Sequence, residues 1–327
     1  MKKLFNRLVS LLIISVFSLL FVTGCSLAST LTTSYGYDEN GNYVKYIYKN
    51  GVEQSSVIIV EGVSETNAVV VTEGVTISYK NDESEVEEAL TSGASFNNVV
   101  EALNSRCEAG TNTKTLQTSF DGASPTLGLP ITGNVKLTQN INIGYNGNST
   151  FRFFIVGNVT IDLNGFTITQ QCGTDGFSGY ALFVVRENAT LNVIDSSQEK
   201  TGCINGVVSA IQVNSGGVAT LYDGTIVCSA TMTVTDATET YFCIYTVATY
   251  GGTFVQNGGV VKTVNERPIL NSTEVCSLTD YNFAFATYDS ETATSVTSKI
   301  VINKGEVIGE IDPIISSLGI LTDNRKN

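Results

Sequence analysis

Alternating apolar and polar residues, broken at intervals by an Asn or Asp and a nearby Gly, dominate the second half of the chain. The stretches VTIDLNGFTI (159–168), LNVIDSSQEKTGCI (191–204), ATLYDGTIV (219–227), TFVQNGGVV (253–261) and KIVINKGEVI (299–308) each read as strand, corner, strand. Such period-two alternation marks strands that bury one face. Aligned on the corner, Asn164, Asp195, Asp223, Asn257 and Asn303 share one register, at steps of 31, 28, 34 and 46 residues. That period predicts a solenoid in which each repeat stacks on the one before. A further strand precedes each corner strand: ALFVV (181–185), AIQV (210–213), CIYTV (243–247) and NFAFATY (282–288). Three strands per repeat, stacked in parallel at ~4.8 Å with right-handed crossovers, predict a coil whose inward Val, Ile, Leu and Phe are buried between neighbouring repeats.

The pattern changes towards the N-terminus. Residues 1–24 carry Lys2, Lys3 and Arg7 ahead of an apolar run, Leu8 to Val22, and end in VTGC. This is the layout of an export signal, which is removed and is not a membrane span. Its end resembles a bacterial lipobox, which implies that Cys25 becomes a lipidated first residue, a membrane anchor for an exported protein. Residues 25–82 hold strand-like runs with hairpin turns, among them NYVKYIYKNG (42–51) and SVIIVEG (56–62), and predict a small β module. In 83–130, SEVEEALTSG (84–93) has a capping Ser and an acidic first turn, and Phe96, Val99, Val100 and Leu103 of 95–107 have helical spacing. These two helices are expected to cap the first repeat, with 110–130 as a connector. The coil is expected over 131–312, and 313–327 as a C-terminal cap introduced by Pro313.

From about residue 84 to 310, the helix-like SEVEEAL followed by VTIDLNGFTI resembles bacterial surface proteins of the right-handed parallel β-helix class, with a pectate-lyase-like fold. The resemblance implies an all-β solenoid and leaves activity open, because one coil serves lyases, hydrolases, adhesins and inert stalks.

Composition narrows the chemistry. Residues 1–24 hold three of the 18 basic residues and none of the 31 acidic ones, so the rest of the chain has a net charge of −16. No basic stripe of the kind that binds nucleic acid is visible. The 327 residues contain no His, which excludes Ser-His-Asp and Cys-His nucleophiles and His-containing zinc sites. Cys107, Cys172, Cys203, Cys228, Cys243 and Cys276 follow Cys25 without a CxxC spacing, and no disulfide pattern is selected. Stacked acidic corners could hold calcium through oxygen ligands. Corner amides beside glycines are instead suited to a structural ladder between repeats, and on that ground no metal or other cofactor is assigned. Asp162, two residues before a corner, stands apart as a carboxylate facing a cation or solvent.

The Asn-Thr-Asp, Asp-Asp, Gly-His-Gly and Arg-Ile-Lys elements of polygalacturonases are absent from the coil. Lyases of the resembled fold use Arg or Lys as base, which makes Arg152, Arg186, Lys200, Lys262 and Arg267 the basic candidates; Arg186 and Lys200 are expected at different corners. No catalytic residue is assigned. Tyr180, Tyr222, Tyr245 and Tyr250, with Phe177, Tyr281 and Tyr288, are placed to stack on sugar rings or touch a protein. Candidate ligand contacts are therefore Asp162, Tyr180, Arg186, Tyr222, Tyr245, Tyr250 and Arg267. The expected function is a non-enzymatic, lipid-anchored surface protein whose loops (170–179, 228–240 and 263–280) contact a glycan or a host or cell-surface protein. The alternatives are a polysaccharide lyase and a purely structural envelope protein.

Overall fold

The computed structural model describes residues 30–63, 76–81, 84–89, 96–101, 117–119, 128–143, 152–170, 181–206, 209–228, 233–234, 244–263, 269–270, 282–288, 298–311 and 319–326. Contacts divide the chain into two units, Met1–Ile59 and Val60–Asn327. No helix among the described residues is long and apolar enough to cross a membrane.

In the first unit, β1 (Leu31–Tyr37), β2 (Tyr43–Lys49) and β3 (Val52–Val60) form one sheet in that order. β1 and β2 are antiparallel, with Leu31 opposite Lys49 and Tyr37 opposite Tyr43. Asp38 ties their connection: its carboxylate accepts the Asn40 and Asn42 N–H groups at 2.9 Å and the Asn42 side-chain amide at 2.8 Å. These bonds, the Asn42 amide first, hold its pKa below the usual carboxylate value. Asn50 (φ 53°) and Gly51 (φ 78°) both sit in the left-handed region that a two-residue hairpin between β2 and β3 demands.

The second unit, Val60–Asn327, departs from expectation near its start. SEVEEA, expected as a helix, is the strand Ser84–Ala89, paired antiparallel with Thr76–Asn81, which also pairs with Gln117–Ser119. Antiparallel pairing with a strand of high β propensity overrides the local helix signals here, with Lys80 opposite Glu85 in the backbone register. Residues 96–101 are helical. Phe96, Val99 and Val100 are buried in the core, and the Phe96 ring lies 5.0 Å from that of Phe153. Leu103 lies outside the described residues.

Six rungs follow, each of three short strands. The first is Gly128–Ile131, Val135–Lys136 and Ile141–Ile143; the second is Arg152–Ile155, Asn158–Asp162 and Thr167–Gln170. The third is Ala181–Val185, Thr190–Ile194 and Cys203–Gly206; the fourth is Ser209–Asn214, Val218–Leu221 and Thr225–Cys228. The fifth is Ile244–Tyr250, Thr253–Gln256 and Val260–Thr263, and the sixth is Asn282–Tyr288, Lys299–Ile302 and Glu306–Ile308. First strands pair with first strands in a seven-stranded sheet, second with second in another of seven, and third with third in one of six. All of these pairings are parallel. The architecture is all-β with parallel sheets, consistent with a solenoid.

Glu310–Ile311 and Ile320–Asp323 extend the first and second sheets by one strand each. The tail expected as a cap from residue 313 thus continues the second sheet. Pro313 lies outside the described residues.

Parallel register stacks like residues on like. Leu129, Phe153, Phe183, Ile211, Val247 and Phe285 form one fully buried column, with the Phe153 and Phe183 rings 5.6 Å apart. In the second sheet Val159, Leu191, Ala219, Phe254 and Ile300 form another. Each short strand is thereby buried by its neighbours, although none of these two- to seven-residue strands could bury itself.

Candidate functional site

The corner between the second and third sheets carries the residues that the repeat pointed to, and the structure splits their register. Asp195 is in line with Asp223, because Val193 pairs with Leu221. Asn257 is in line with Tyr222 and with Asn303, one position earlier than Asp223. Asn164 falls one position later than Asp195, in line with Ser196. Corner loops of different length absorb these shifts, which alignment on the Asn or Asp alone concealed.

Asp195, fully buried, is the hub of this corner. One oxygen accepts Gly165 N–H (2.8 Å), Ser197 N–H (3.1 Å) and Ser197 Oγ–H (2.7 Å), and the other accepts Gly202 N–H at 2.6 Å. Gly202 is required there: a Cβ would collide with Leu163 Cβ and crowd the Asp195 carboxylate. Asn164 Nδ2 donates to the Leu137 carbonyl one rung back (3.0 Å), while its oxygen accepts Ser196 Oγ–H (3.3 Å).

Asp162, read from sequence as facing a cation or solvent, is 1% exposed. Its Oδ1 accepts Asn164 N–H (3.0 Å) and Ser196 N–H (2.9 Å), and Lys136 Nζ lies 3.7 Å from Oδ2. It stitches two rungs together and is removed from the candidate contacts. In register it lies beside Ile194 of the next rung.

Lys200 and Asp223 complete the corner. Lys200 Nζ donates to the Asp195 carbonyl at 2.6 Å and lies 3.7 Å from Asp223 Oδ2, while Asp223 Oδ1 accepts Gly224 N–H at 3.0 Å. Burial pushes the ammonium pKa down and the carboxyl pKa up, and their mutual attraction opposes both shifts. Among the described residues no group of three or more Cys, Asp or Glu is placed to hold a metal ion. The corner oxygens mostly accept protein N–H and O–H groups, the opposite of a cage awaiting a cation.

Further along the second sheet the corner becomes an amide ladder. Asn303 Nδ2 donates to Asn257 Oδ1 (2.8 Å), and Asn324 Nδ2 donates to Asn303 Oδ1 (2.6 Å). Asn324 was missed in the sequence because no Gly-containing repeat surrounds it.

A different corner, between the first and second sheets, gathers exposed chemistry. Val185 pairs with Val213 and Asn214 with Tyr250, so Arg186, Asn214 and Tyr250 follow one another on successive rungs. Inward residues Val185, Val213 and Thr249 precede them, which turns all three outward. Each opens a tight turn with one left-handed residue, Asn188 (φ 58°), Gly216 (φ 69°) and Gly251 (φ 75°) respectively. Arg186 and Tyr250 are exposed, about 10 Å apart at two strand spacings. The Arg186 guanidinium packs on the Phe154 ring at 5.4 Å, with Arg152 on the same ring at 5.0 Å. Gln212 Nε2 donates to Asn214 Oδ1 at 2.8 Å. Asn214 carried no sequence signal, since its place depends on the pairing of distant strands.

Other expected contacts fall elsewhere. Tyr245 is buried in the first sheet, and Tyr222 is half-buried, its phenol pushed up by desolvation. Arg186 and Lys200 lie at different corners and do not converge. Tyr180, Arg267, Phe177, Tyr281 and Cys25 lie outside the described residues, as does most of the three long loops. Of those loops, Thr233–Val234 and Ile269–Leu270 pair in parallel. Cys203 and Cys228 are free thiols, pushed up by burial to about 11 and about 12. The chain has no match among protein-family models, curated proteins or solved structures.

Proposed function

We propose that this chain is a non-enzymatic, lipid-anchored surface protein. In this reading it is a right-handed parallel β-helix closed at its N-terminal end by the 96–101 helix, held to a membrane through Cys25, and its corners and loops contact a glycan. The observation that carries the reading is the Arg186, Asn214, Tyr250 column. It sets a planar cation, an amide and an aromatic face on consecutive rungs of a rigid scaffold, a combination that stacks on a sugar ring and bonds its hydroxyl or carboxylate groups. By contrast the Asp162, Asp195 and Lys200 groups are committed to backbone partners, which favours a scaffold over a reaction centre.

The test is calorimetric titration of the mature protein with a panel of neutral and uronate-containing glycans. A binder whose affinity falls about fivefold or more in both Arg186→Ala and Tyr250→Ala supports the proposal, each contact being worth ~1 kcal/mol. Binding unchanged in both variants overturns the column as the site.

The polysaccharide-lyase alternative retains one specific observation, the lowered pKa of Lys200 beside Asp223, because a depressed Lys can act as a base. Incubation with uronate polymers and calcium, followed by absorbance of unsaturated ends, decides it: product that disappears in Lys200→Met would replace the scaffold reading. No glycan binding and no product would favour a purely structural role in the envelope.

A further inference from the structure

We infer that the β1–β2–β3 sheet is a membrane-docking face, seated on an anionic lipid surface by the side that carries Leu31, Tyr35, Lys45, Lys49, Val52 and Ile58. The inference rests in part on the reading of Cys25 as a lipid anchor.

The antiparallel register puts Leu31, Tyr35, Lys45 and Lys49 on one face, since Leu31 opposes Lys49 and Tyr35 opposes Lys45. The two-residue Asn50–Gly51 turn sets Val52 opposite Lys49 on that same face, and alternation adds Ile58. Leu31 is 68% exposed, Val52 63%, Ile58 53% and Tyr35 47%. These are large apolar groups left in solvent on a sheet of only three strands. The exposed Tyr35 ring stacks on the buried Tyr43 (6.2 Å), which Tyr37 meets edge-on (5.2 Å), so Tyr35 is backed by an aromatic cluster.

Charge separates the two faces. The described acidic residues of the module are Asp38 and Glu39 in the β1–β2 connection, Glu61 just past the end of β3, and Glu53, which alternation places on the opposite face from Lys45 and Lys49. The raised pKa of Tyr46, due first to desolvation and then to Asp38 and Glu53, agrees with Glu53 lying on the Tyr46 side. Both faces expose apolar groups, Val57 (49%) and Ile59 (39%) on the far side, but the Leu31 face bears two lysines and, among the described strand residues, no carboxylate, on a chain whose net charge is −13. Apolar groups, tyrosine rings and lysines on one surface match the bilayer interface, with its acyl boundary and anionic headgroups.

Tether length agrees. Six residue steps from Cys25 to Leu31 span at most about 20 Å, so acyl chains on Cys25 hold this sheet within reach of the headgroups.

The experiment uses the mature chain with Cys25→Ser, so that no acyl chain contributes, in flotation with vesicles of phosphatidylcholine alone or mixed with phosphatidylglycerol. The expected result is flotation on the mixed vesicles and much less on phosphatidylcholine. Lys45→Gln/Lys49→Gln weakens it roughly thirtyfold, at ~1 kcal/mol for each lysine near an anionic surface. Leu31→Ser/Val52→Ser/Ile58→Ser abolishes it, whereas Val57→Ser/Ile59→Ser on the opposite face leaves it within about twofold, with circular dichroism unchanged in all. No flotation of the parent, equal flotation on both vesicles, equal loss from opposite-face substitutions, or self-association in light scattering that depends on the Leu31 face would each overturn the proposal. Failure of the Cys25 reading shows separately, as absence of fatty-acid label on the wild-type chain, and leaves the flotation result standing.

Discussion

The stacked rungs and the N-terminal sheet are both β-structure, yet they dispose of side chains in opposite ways. In the stack a short strand such as Ala181–Val185 is buried at all five positions, because parallel neighbours and the core cover it. In β3, nine residues long, eight positions are exposed. The difference is one of partners and not of propensity, since VIIV (57–60) is as apolar as ALFVV and more β-branched. Repetition makes a core out of short strands, whereas a single three-stranded sheet leaves its apolar side chains available to something else.

The largest effect that should separate the two regions comes from truncating the core. Phe183→Ala removes a ring packed on Phe153 in the central column and should cost about 3–5 kcal/mol in urea unfolding. Leu31→Ala in the module should stay within about 0.5 kcal/mol. Comparable losses would mean that Leu31 has a structural partner and would remove the contrast. Next in size, Asp195→Ala strips the acceptor from Gly165, Ser197 and Gly202 and should cost roughly 3 kcal/mol. Hydrogen exchange should localise the opening to the 195–202 corner, and protection there unchanged would show that the carboxylate is dispensable.

Most of the stack could be read from sequence, because column formation needs only the alternation that VTIDLNGFTI and its copies display. The parallel sheets, the three strands per repeat and the strand positions follow from it. The corner register did not, since Asn164, Asp195 and Asn257 differ in loop length and the chain offers no cue to how a corner pads. Asp162 shows the other limit: alternation gave its side correctly and could not tell that Ser196 and Lys136 would close over it. The 84–89 strand failed for a third reason, a tertiary partner overriding a run of glutamates. Of the candidate site, Arg186 and Tyr250 were picked out singly, while their alignment through Asn214 needed the pairing itself.

Smaller effects test whether the stack is uniformly built. Thr249 occupies the column of Ile155, Val185 and Val213, and its buried hydroxyl has no hydrogen-bond partner among the described residues. Thr249→Val should therefore stabilise by about 1 kcal/mol, and a loss instead would show that the hydroxyl is in use. On the outer face, Asn303→Ala breaks two exposed amide bonds, to Asn257 and Asn324, and should cost no more than ~1 kcal/mol. A larger cost would make the ladder a principal support of the last rungs.

The smallest effect concerns charge at the corner, and pH reads it. Burial raises the folded-state pKa of Asp223 above 3.8, with Gly224 N–H and Lys200 only partly opposing. In the window above 3.8 the folded chain therefore holds a proton that the unfolded chain has released, and stability from this group falls as pH rises through it. Asparagine has no proton to lose. Asp223→Asn should gain on the wild type as pH is raised from about 3 to 7, by less than ~1 kcal/mol because the pair with Lys200 is partly open to solvent. A variant that instead loses ground over that range would show that the Lys200 pair outweighs desolvation, and that charge, as well as backbone hydrogen bonding, holds this corner of the stack together.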